Sequence, residues 1–428
     1  MKITYITHAC LLIEVNGKII LTDPWLKGPS WGGSLWHFPT HNYTIKKLPK
    51  PDYIFFSHGH DDHFHEETIK SFPASWKKIK VLAANFKEKW WKEAVGKKFQ
   101  NVKYLDHNEI FKIGNSTNIQ LFINDRGDPD SSIRIFNKKN NVFFQTDNLM
   151  SEKEAKRIAN LQKIDLAFVI PFLTGVFPGF YTWNTNDLIK LSKQKLDSSL
   201  EYCYKICNHL KPKYVVPYAC DLGYLGDKFH INLIHSHNKI DLKKKLEKKK
   251  SKIKTLIMNS GDNVKINKSI KAFIKKNKKS DYDKLIAFAN DKTNLYKQYQ
   301  INEKKISEPN LNTLTRKFQM KLAENLDEVK EFNFKTLISI NENEKKKNIL
   351  IDFKKKNIQT ISTKNINANI NLKVNIESTK IRNLLKKKYP MNFLTFHNGG
   401  YVCERSTMKL TLNENKYWNW INNLDFFI

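Results

Sequence analysis

The chain has 428 residues, of which 74 are Lys or Arg and 42 are Asp or Glu, so its formal net charge is +32. That length suffices for two domains, and a hydrophobic fraction of 40% without a long apolar run predicts no membrane span. The five scattered cysteines indicate neither a disulfide framework nor a thiolate zinc cage, so we expect a reducing, cytoplasmic setting. A strand pattern starts at Lys2, and we therefore expect no signal peptide.

The positive charge alone does not indicate a nucleic-acid partner. Lysines are spread along the whole chain together with abundant asparagine and isoleucine, a composition that A- and T-rich codons would also produce. The densest runs, Lys243–Lys245 and Lys248–Lys250, fall on the predicted solvated face of a helix. We therefore do not expect nucleic acid to be the partner, and an anionic small-molecule substrate accounts for the charge at least as well.

The first part of the chain alternates short apolar segments with turns. Residues 3–7, 10–15 and 18–22 predict strands, and the last two are joined by a turn at Asn16-Gly17. The third strand ends at Asp23-Pro24, and the glycine- and tryptophan-rich loop that follows is expected to wall one side of a cleft. A further buried strand, Tyr53–Phe56, leads directly into the most distinctive stretch of the sequence.

That stretch is Ser57–His63, in which four metal-ligand side chains leave one turn, where Gly59 lets the backbone bend. Imidazole and carboxylate groups so close together suit zinc, iron or manganese. We expect His58 and His60 to face one metal, and Asp62 and His63 to face a second.

Further along, strands and helices continue to alternate. A hairpin of Ile133–Phe136 and Val142–Gln145 delivers Asp147 at its end, and strands at 166–171, 214–218 and 255–258 alternate with helices at 185–211 and 239–252. This order predicts an α/β (α+β) chain whose residues 1–268 form two face-to-face sheets with helices outside. Residues 269–428 are predicted to form a smaller α+β domain, whose role the sequence does not indicate.

The motif after a strand resembles the signature of the metallo-β-lactamase fold superfamily, which implies a four-layer αββα sandwich. The resemblance implies that Asp147 bridges two metals, and that one histidine precedes it while another follows late in the fold. This chain departs from that pattern. The loop Asp125–Asp130 offers Asp128 or Asp130 instead of a histidine, and the late position has only the candidates His230, His235 and His237, of which we favour His230. The extra carboxylate favours iron or manganese over zinc.

Within the superfamily, Thr7–Glu14 and Asp23–Pro29 are similar to the metal-binding domain of CMP-N-acetylneuraminate hydroxylases, and His8 resembles their early histidine near the site mouth. Those hydroxylases carry a Rieske iron–sulfur domain, which needs Cys-x-His ligand pairs. Only one cysteine in this chain, Cys207, stands two residues before a histidine, and a Rieske centre needs two such pairs. An oxygenase built on this chain would therefore take its electrons from a separate protein.

The leading hypothesis is a metal-dependent hydrolase, in which a metal-bound hydroxide attacks an anionic ester, lactone or phosphodiester, for example in a sugar phosphate or nucleotide sugar. One or two divalent metals (zinc, iron or manganese) would be held by His58, His60, Asp62, His63, Asp147, Asp128 and His230. We expect Asp62, Asp128 and His8 to take part in the chemistry.

Two alternatives remain open from the sequence. One is a non-haem iron hydroxylase that works with a separate electron-transfer protein, and the other is a non-catalytic binding protein. An RNA-processing nuclease is disfavoured, because nuclease branches insert a large domain after the bridging aspartate and the segment from Asp147 to Tyr214 is too short for one.

Overall fold

The protein is described by a computed structural model that covers residues 1–171, 176–233, 239–267, 269–274, 282–301, 307–329, 331–366, 369–387, 402–406 and 414–422. The predicted candidates His235 and His237 lie outside these residues. The strands of the first part are β1 (Lys2–Thr7), β2 (Cys10–Val15), β3 (Lys18–Thr22), β4 (Leu35–Trp36), β5 (Tyr53–Phe56), β6 (Lys80–Ala84), β7 (Val102–Leu105), β8 (Ile110–Ile113), β9 (Thr117–Ile123), β10 (Ser131–Phe136), β11 (Asn141–Phe144), β12 (Leu166–Val169), β13 (Tyr214–Pro217), β14 (Gly223–Tyr224), β15 (Lys254–Thr255), β16 (Asn263–Ile266) and β17 (Ile270–Phe273). The α-helices of this part are α1 (Glu66–Lys70), α2 (Lys89–Lys98), α3 (Glu152–Leu161), α4 (Thr185–Leu210) and α5 (Ile240–Lys248).

Two large sheets form the centre of this part. The first has eight strands in the order β17-β16-β1-β2-β3-β5-β6-β7, and the second has seven in the order β15-β13-β12-β11-β10-β9-β8. Strands β3, β5, β6 and β7 run parallel, as do β11, β12, β13 and β15. Because β1 and β3 each pair antiparallel with β2, the carboxyl ends of β1, β3 and β5 share one edge of the first sheet.

The period-two alternation of the central strands separates two cores. Val142 and Phe144 of β11 belong to the core between the sheets, whereas Phe143 belongs to the core under helices α3 to α5. Strand β12 repeats the pattern, with Phe168 facing inward and Ala167 outward. Strands covered on both faces read as continuous apolar runs, which is how these segments appear in the sequence. The predicted α/β fold class and four-layer αββα sandwich are confirmed.

The second part is an additional α+β domain. Its five-stranded sheet has the order β20-β19-β18-β21-β22. The strands are β18 (Lys335–Glu342), β19 (Lys345–Asp352), β20 (Asn357–Ile361), β21 (Leu372–Glu377) and β22 (Val402–Arg405), and the helices are α6 (Tyr282–Ile301), α7 (Leu311–Glu324), α8 (Ser378–Lys387) and α9 (Glu414–Asn422).

A backbone bridge joins the two parts. Cys403 in β22 accepts a hydrogen bond from Thr182 N at 2.9 Å and donates one to Phe180 O at 2.9 Å. Strand β17 still pairs with β16, so the first sheet runs to Phe273, and the division at residue 268 stays a prediction. Within the described ranges, every helix falls short of the length or the apolar content that a membrane crossing demands.

Candidate metal centre

The predicted ligands gather where strands of both sheets end. His8 follows β1, Asp23 follows β3, and the 57–63 turn follows β5. From the second sheet, Asp147 follows β11 and the 124–130 loop joins β9 to β10. Since β9 and β11 both pair antiparallel with β10, their carboxyl ends also lie at one edge. The topology therefore brings together segments that lie far apart in the chain.

Three overlapping groups of side chains have their ligand atoms within 4.8 Å of one another. They are His58, His60 and Asp130; His58, His63 and Asp147; and His8, Asp62 and His63. The pairing of His58 with His60, and of Asp62 with His63, follows the division expected from the sequence. His63 Nε2 lies 3.3 Å from Asp147 Oδ1, and His8 Nε2 lies 3.3 Å from Asp62 Oδ2.

The loop aspartate in these groups is Asp130 rather than Asp128. Asp130 Oδ1 lies 3.6 Å from His58 Nε2, whereas Asp128 takes part in none of the three groups. Asp130 immediately precedes β10, and its main chain is fixed because its N–H donates to Asp128 O at 2.8 Å. The sequence could not separate the two residues, since both stand in the same short loop.

His230 is not part of the cluster. Its Nε2 contacts the carbonyl of Gly179, and its ring lines a cavity of about 630 Å³ together with Trp183, Asn341 and Glu377. The 3₁₀ helix Gly226–Leu233 carries His230 toward this cavity, away from the strand ends that hold the other histidines. The residue that completes the group of Asp62 and His63 is His8, from the beginning of the chain.

Asp23 orients the histidines from behind, a role that the sequence did not reveal. This fully buried carboxylate accepts hydrogen bonds from Ser57 N at 2.8 Å and Ser57 Oγ at 2.7 Å, and its Oδ2 lies 3.1 Å from His63 Nδ1. With a proton on His63 Nδ1, the other ring nitrogen, Nε2, keeps an electron pair that can bind a metal. Carboxylates commonly hold metal-binding histidines in this way. The signal in the sequence was a polar residue directly after a buried strand.

Trp31 fixes the other end of the motif, and the sequence did not reveal its role either. Its indole Nε1–H donates to Asp62 Oδ1 at 3.0 Å, and its backbone N–H donates to Asp61 Oδ2 at 2.6 Å. Its ring packs edge-on against His60, with the centroids 5.4 Å apart. The glycine- and tryptophan-rich loop therefore does more than wall the cleft, because it directs Asp62 Oδ2 toward His8 and His63.

Burial and close charges shift the pKa values in the cluster. Burial lowers the pKa of His58 well below its usual value, and the His63 and His60 rings lower it further. Burial raises the pKa of Asp130 well above its usual value, with Asp128 and Asp147 adding to the effect. Burial would also lower the pKa of His63, but Asp147 and Asp23 outweigh it and raise that pKa well above its usual value. The lowered pKa of His58 favours the neutral imidazole that a metal ligand needs, and a divalent cation would stabilise the crowded carboxylates in their charged form.

The fit of these residues to a metal rests on buried atoms without hydrogen bonds. In the described part of the chain, His58 Nε2, His63 Nε2 and Asp147 Oδ1 are buried and receive no hydrogen-bond partner. Leaving such a group unpaired costs about 1–3 kcal/mol, so nearby unpaired atoms need a common partner. A cluster of four imidazoles and three carboxylates is a suitable donor set for one or two divalent metals.

Comparison with known proteins agrees with the sequence motif and with the observed fold. Residues 2–170 match the family model of the β-lactamase superfamily domain. This part of the chain is therefore similar to the metallo-β-lactamase domain. Hydrolases are among its neighbours of known structure, and hydroxylases are among its relatives by sequence.

The curated relatives of this chain include cytidine monophosphate-N-acetylneuraminic acid hydroxylases. That of Xenopus laevis is 24% identical over 273 residues, which cover 61% of this chain and 44% of the relative. That of Asterias rubens is 40% identical over 72 residues, which cover 16% of this chain and 11% of the relative. The chain thus spans less than half the length of these relatives.

Among solved structures, the metallo hydrolase Igni18 of Ignicoccus hospitalis is 18% identical with a TM-score of 0.42, covering 61% of this chain and 97% of that one. A variant of the CmlA β-hydroxylase is 18% identical with a TM-score of 0.44, covering 62% of this chain and 54% of that one.

Proposed function

We propose that the chain is a metal-dependent hydrolase acting on an anionic ester, lactone or phosphodiester. The observation that carries this proposal is the convergence of buried, unpaired ligand atoms from His58, His63 and Asp147 at the strand ends. Solvent-facing histidines in loops show no such arrangement.

Two sets of ligands share the cluster in this proposal. His58, His60 and Asp130 hold one metal, His8, Asp62 and His63 hold a second, and Asp147 lies between them, near both His58 and His63. When bound, a divalent metal in such a site lowers the pKa of a water molecule and polarises the oxygen of the substrate.

Asp128 is the residue that we assign to proton transfer. It lies in the loop of Asp130 but outside all three ligand groups, so its carboxyl can exchange protons without leaving a metal. A positioned acid or base of this kind contributes about 100-fold or more to a reaction rate. The net charge of +32 would favour encounter with an anionic substrate.

Hydroxylation is a second candidate, and one observation favours it. A carboxylate, Asp130, stands with His58 and His60 where the superfamily pattern implies a third histidine, and oxygen ligands favour iron over zinc. The Xenopus laevis relative is named a hydroxylase. With a single Cys-x-His pair, Cys207 and His209, where a Rieske centre needs two, such a reaction would need a separate electron donor.

The metal content of protein purified without added metal or chelator separates these candidates. Zinc or manganese near two atoms per chain, with turnover of phosphodiester or lactone substrates in air and without a reductant, supports the hydrolase. Iron, together with activity that requires oxygen and a reductant, would replace it with the hydroxylase. Absence of any bound metal after reconstitution would leave a binding protein.

Two variants of one loop test the assigned roles. Asp130→Asn removes a ligand, and we expect it to weaken metal binding. Asp128→Asn should leave metal binding within a few-fold of the wild type while lowering kcat about 100-fold or more. If Asp128→Asn releases the metal and Asp130→Asn does not, the two assignments are reversed.

A further inference from the structure

Helix α6 (Tyr282–Ile301), which follows the metallo-β-lactamase sandwich in the chain, packs against the loop that carries Trp31. A Cβ placed on Gly33 would lie 2.8 Å from Tyr299 Cβ, and one placed on Gly28 would lie 2.9 Å from Tyr299 Oη. Contacts this short leave no room for a side chain, so the helix lies directly on the backbone of the loop. Both glycines also have positive φ, +92° for Gly33 and +70° for Gly28.

The same helix reaches a second segment of the site wall. A Cβ on Gly226 would lie 2.0 Å from the Tyr296 ring, and one on Gly223 would lie 2.6 Å from Leu285 Cδ1. Strand β14 begins at Gly223 and pairs with β4, in the register Gly223 to Trp36. Helix α6 therefore rests on a surface of four glycines that belongs to two paired segments of the first domain.

Aromatic side chains stabilise the contact between α6 and these two segments. The Trp36 ring lies edge-on to Tyr299, with centroids 5.9 Å apart, and edge-on to Phe288 at 6.5 Å. Trp36 and Tyr296 are 7% and 8% exposed, whereas Tyr299, at the rim of the contact, keeps 38% of its surface exposed. Such edge-to-face pairs contribute about 0.5–1.5 kcal/mol each beyond the area that they bury.

The loop that α6 contacts also carries Trp31, the residue that orients Asp62. Trp36 Nε1–H donates to Gly33 O at 2.7 Å, and Ser34 Oγ–H donates to Trp31 O at 2.8 Å. Trp31 in turn donates to Asp62 Oδ1 at 3.0 Å, which leaves Asp62 Oδ2 facing His8. A continuous set of contacts thus links α6 to one carboxylate of the metal cluster.

We propose that α6 is a positioning element of the metal centre, with Tyr299 as its principal contact and Trp31 as the residue that transmits its effect to Asp62. The proposal rests on the metal site of the proposed function. It assigns a role to a helix that follows the sandwich, for which the sequence indicated none. Asp62 would keep its orientation only while α6 lies on the glycines of the 28–36 loop.

The test compares Tyr299→Ala with Leu295→Ala in the full chain. Leu295 lies on the same helix and is 41% exposed, so its variant is a matched control for the loss of an apolar side chain. The first measurement is hydrogen exchange of backbone amides at 28–36 in metal-free protein, and the second is Co²⁺ affinity by chelator competition with the visible Co²⁺ spectrum.

We expect Tyr299→Ala to speed exchange at 28–36 and to weaken Co²⁺ binding about tenfold, as changes behind metal ligands commonly do. Tyr299→Phe should restore both, because it keeps the ring. Trp31→Phe, which keeps an aromatic ring but removes the indole donor, should weaken Co²⁺ binding while exchange in α6 stays unchanged.

Unchanged exchange and Co²⁺ affinity in Tyr299→Ala would overturn the proposal, as would equal effects of Tyr299→Ala and Leu295→Ala. If the wild type binds no Co²⁺, the proposed metal site fails. The exchange experiment would still report whether α6 holds the loop, so the two failures can be distinguished.

Discussion

At the scale of single residues, Asp23 shows how the metal cluster depends on a group that binds no metal in our proposal. Its carboxylate holds His63 Nδ1 and both donors of Ser57. Asp23→Asn would keep the shape but replace one acceptor oxygen with an amide donor, which cannot accept the proton of His63 Nδ1. We expect the variant to fold and to bind Zn²⁺ about 10–100-fold more weakly.

Chelator competition measures that affinity, and Asp52→Asn provides the control. Asp52 also accepts a backbone N–H and a side-chain donor, from Ile19 and Lys18, but at the opposite end of β3 from the cluster. Its substitution should leave Zn²⁺ affinity unchanged. Equal losses in the two variants would show that Asp23 acts through general stability rather than through His63.

The residues of the site divide into those that local sequence reveals and those that it does not. His58, His60, Asp62 and His63 could be predicted because one turn holds all four. Asp147 follows a strand, so its place at the sheet edge could also be predicted. Asp130 and His8 required knowledge of which strand ends meet. Trp31 contacts Asp62 across 31 positions of the chain, and no local pattern encodes such a contact.

At the scale of elements, Gly59 reveals how α2 meets the metal turn. The sequence suggested that this glycine lets the backbone bend, yet its φ is not positive. The structure gives a steric reason instead, because a Cβ at this position would lie 2.3 Å from the Trp90 ring of α2. We therefore expect Gly59→Ala to lower the free energy of unfolding by about 1–3 kcal/mol, as overpacking does.

Urea denaturation of a double-mutant cycle with Trp90→Leu checks this expectation. The smaller side chain should remove most of the penalty of Gly59→Ala, which would appear as a coupling energy between the two sites. Gly96 is the control, because it lies in α2 and a Cβ added there would meet no atom within 4 Å. Gly96→Ala should stabilise the protein by up to about 1 kcal/mol. A penalty at Gly59 that persists with Trp90→Leu would refute the steric explanation.

The elements themselves were largely predictable where apolar periodicity was strong. Strands β1, β2, β3 and β5 lie within a residue or two of their predicted bounds, because each is a short apolar run between turn residues. Strand β17 and helix α3 were missed. Of the four residues of β17, three are exposed and none is buried, so the strand lacks the apolar alternation that marks a half-buried one.

At the scale of the whole molecule, charge is the property most open to misinterpretation. The 74 basic residues are accompanied by 42 acidic ones, and many lysines in both domains lie beside a carboxylate. Examples are Lys18 with Asp52 at 2.9 Å, Lys245 with Glu201 at 2.6 Å and Lys335 with Asp352 at 3.1 Å. A nucleic-acid site needs a positive electrostatic potential concentrated on one face of the protein. Because acidic partners lie among these lysines, they weaken that potential.

We therefore predict only weak, salt-labile association with nucleic acid. Fluorescence anisotropy with a random DNA duplex and an RNA hairpin should show binding at about 20 mM salt, because any strongly basic protein releases counterions from phosphates. At about 150 mM salt the dissociation constant should be weaker than about 1 µM, the range of non-specific binding.

The control is Lys243→Glu with Lys244→Glu in the densest lysine run, which should lower the low-salt affinity modestly and leave metal binding unchanged. Submicromolar binding at about 150 mM salt that this double variant abolishes would instead make α5 a nucleic-acid contact, and the substrate would then have to be sought among nucleic acids.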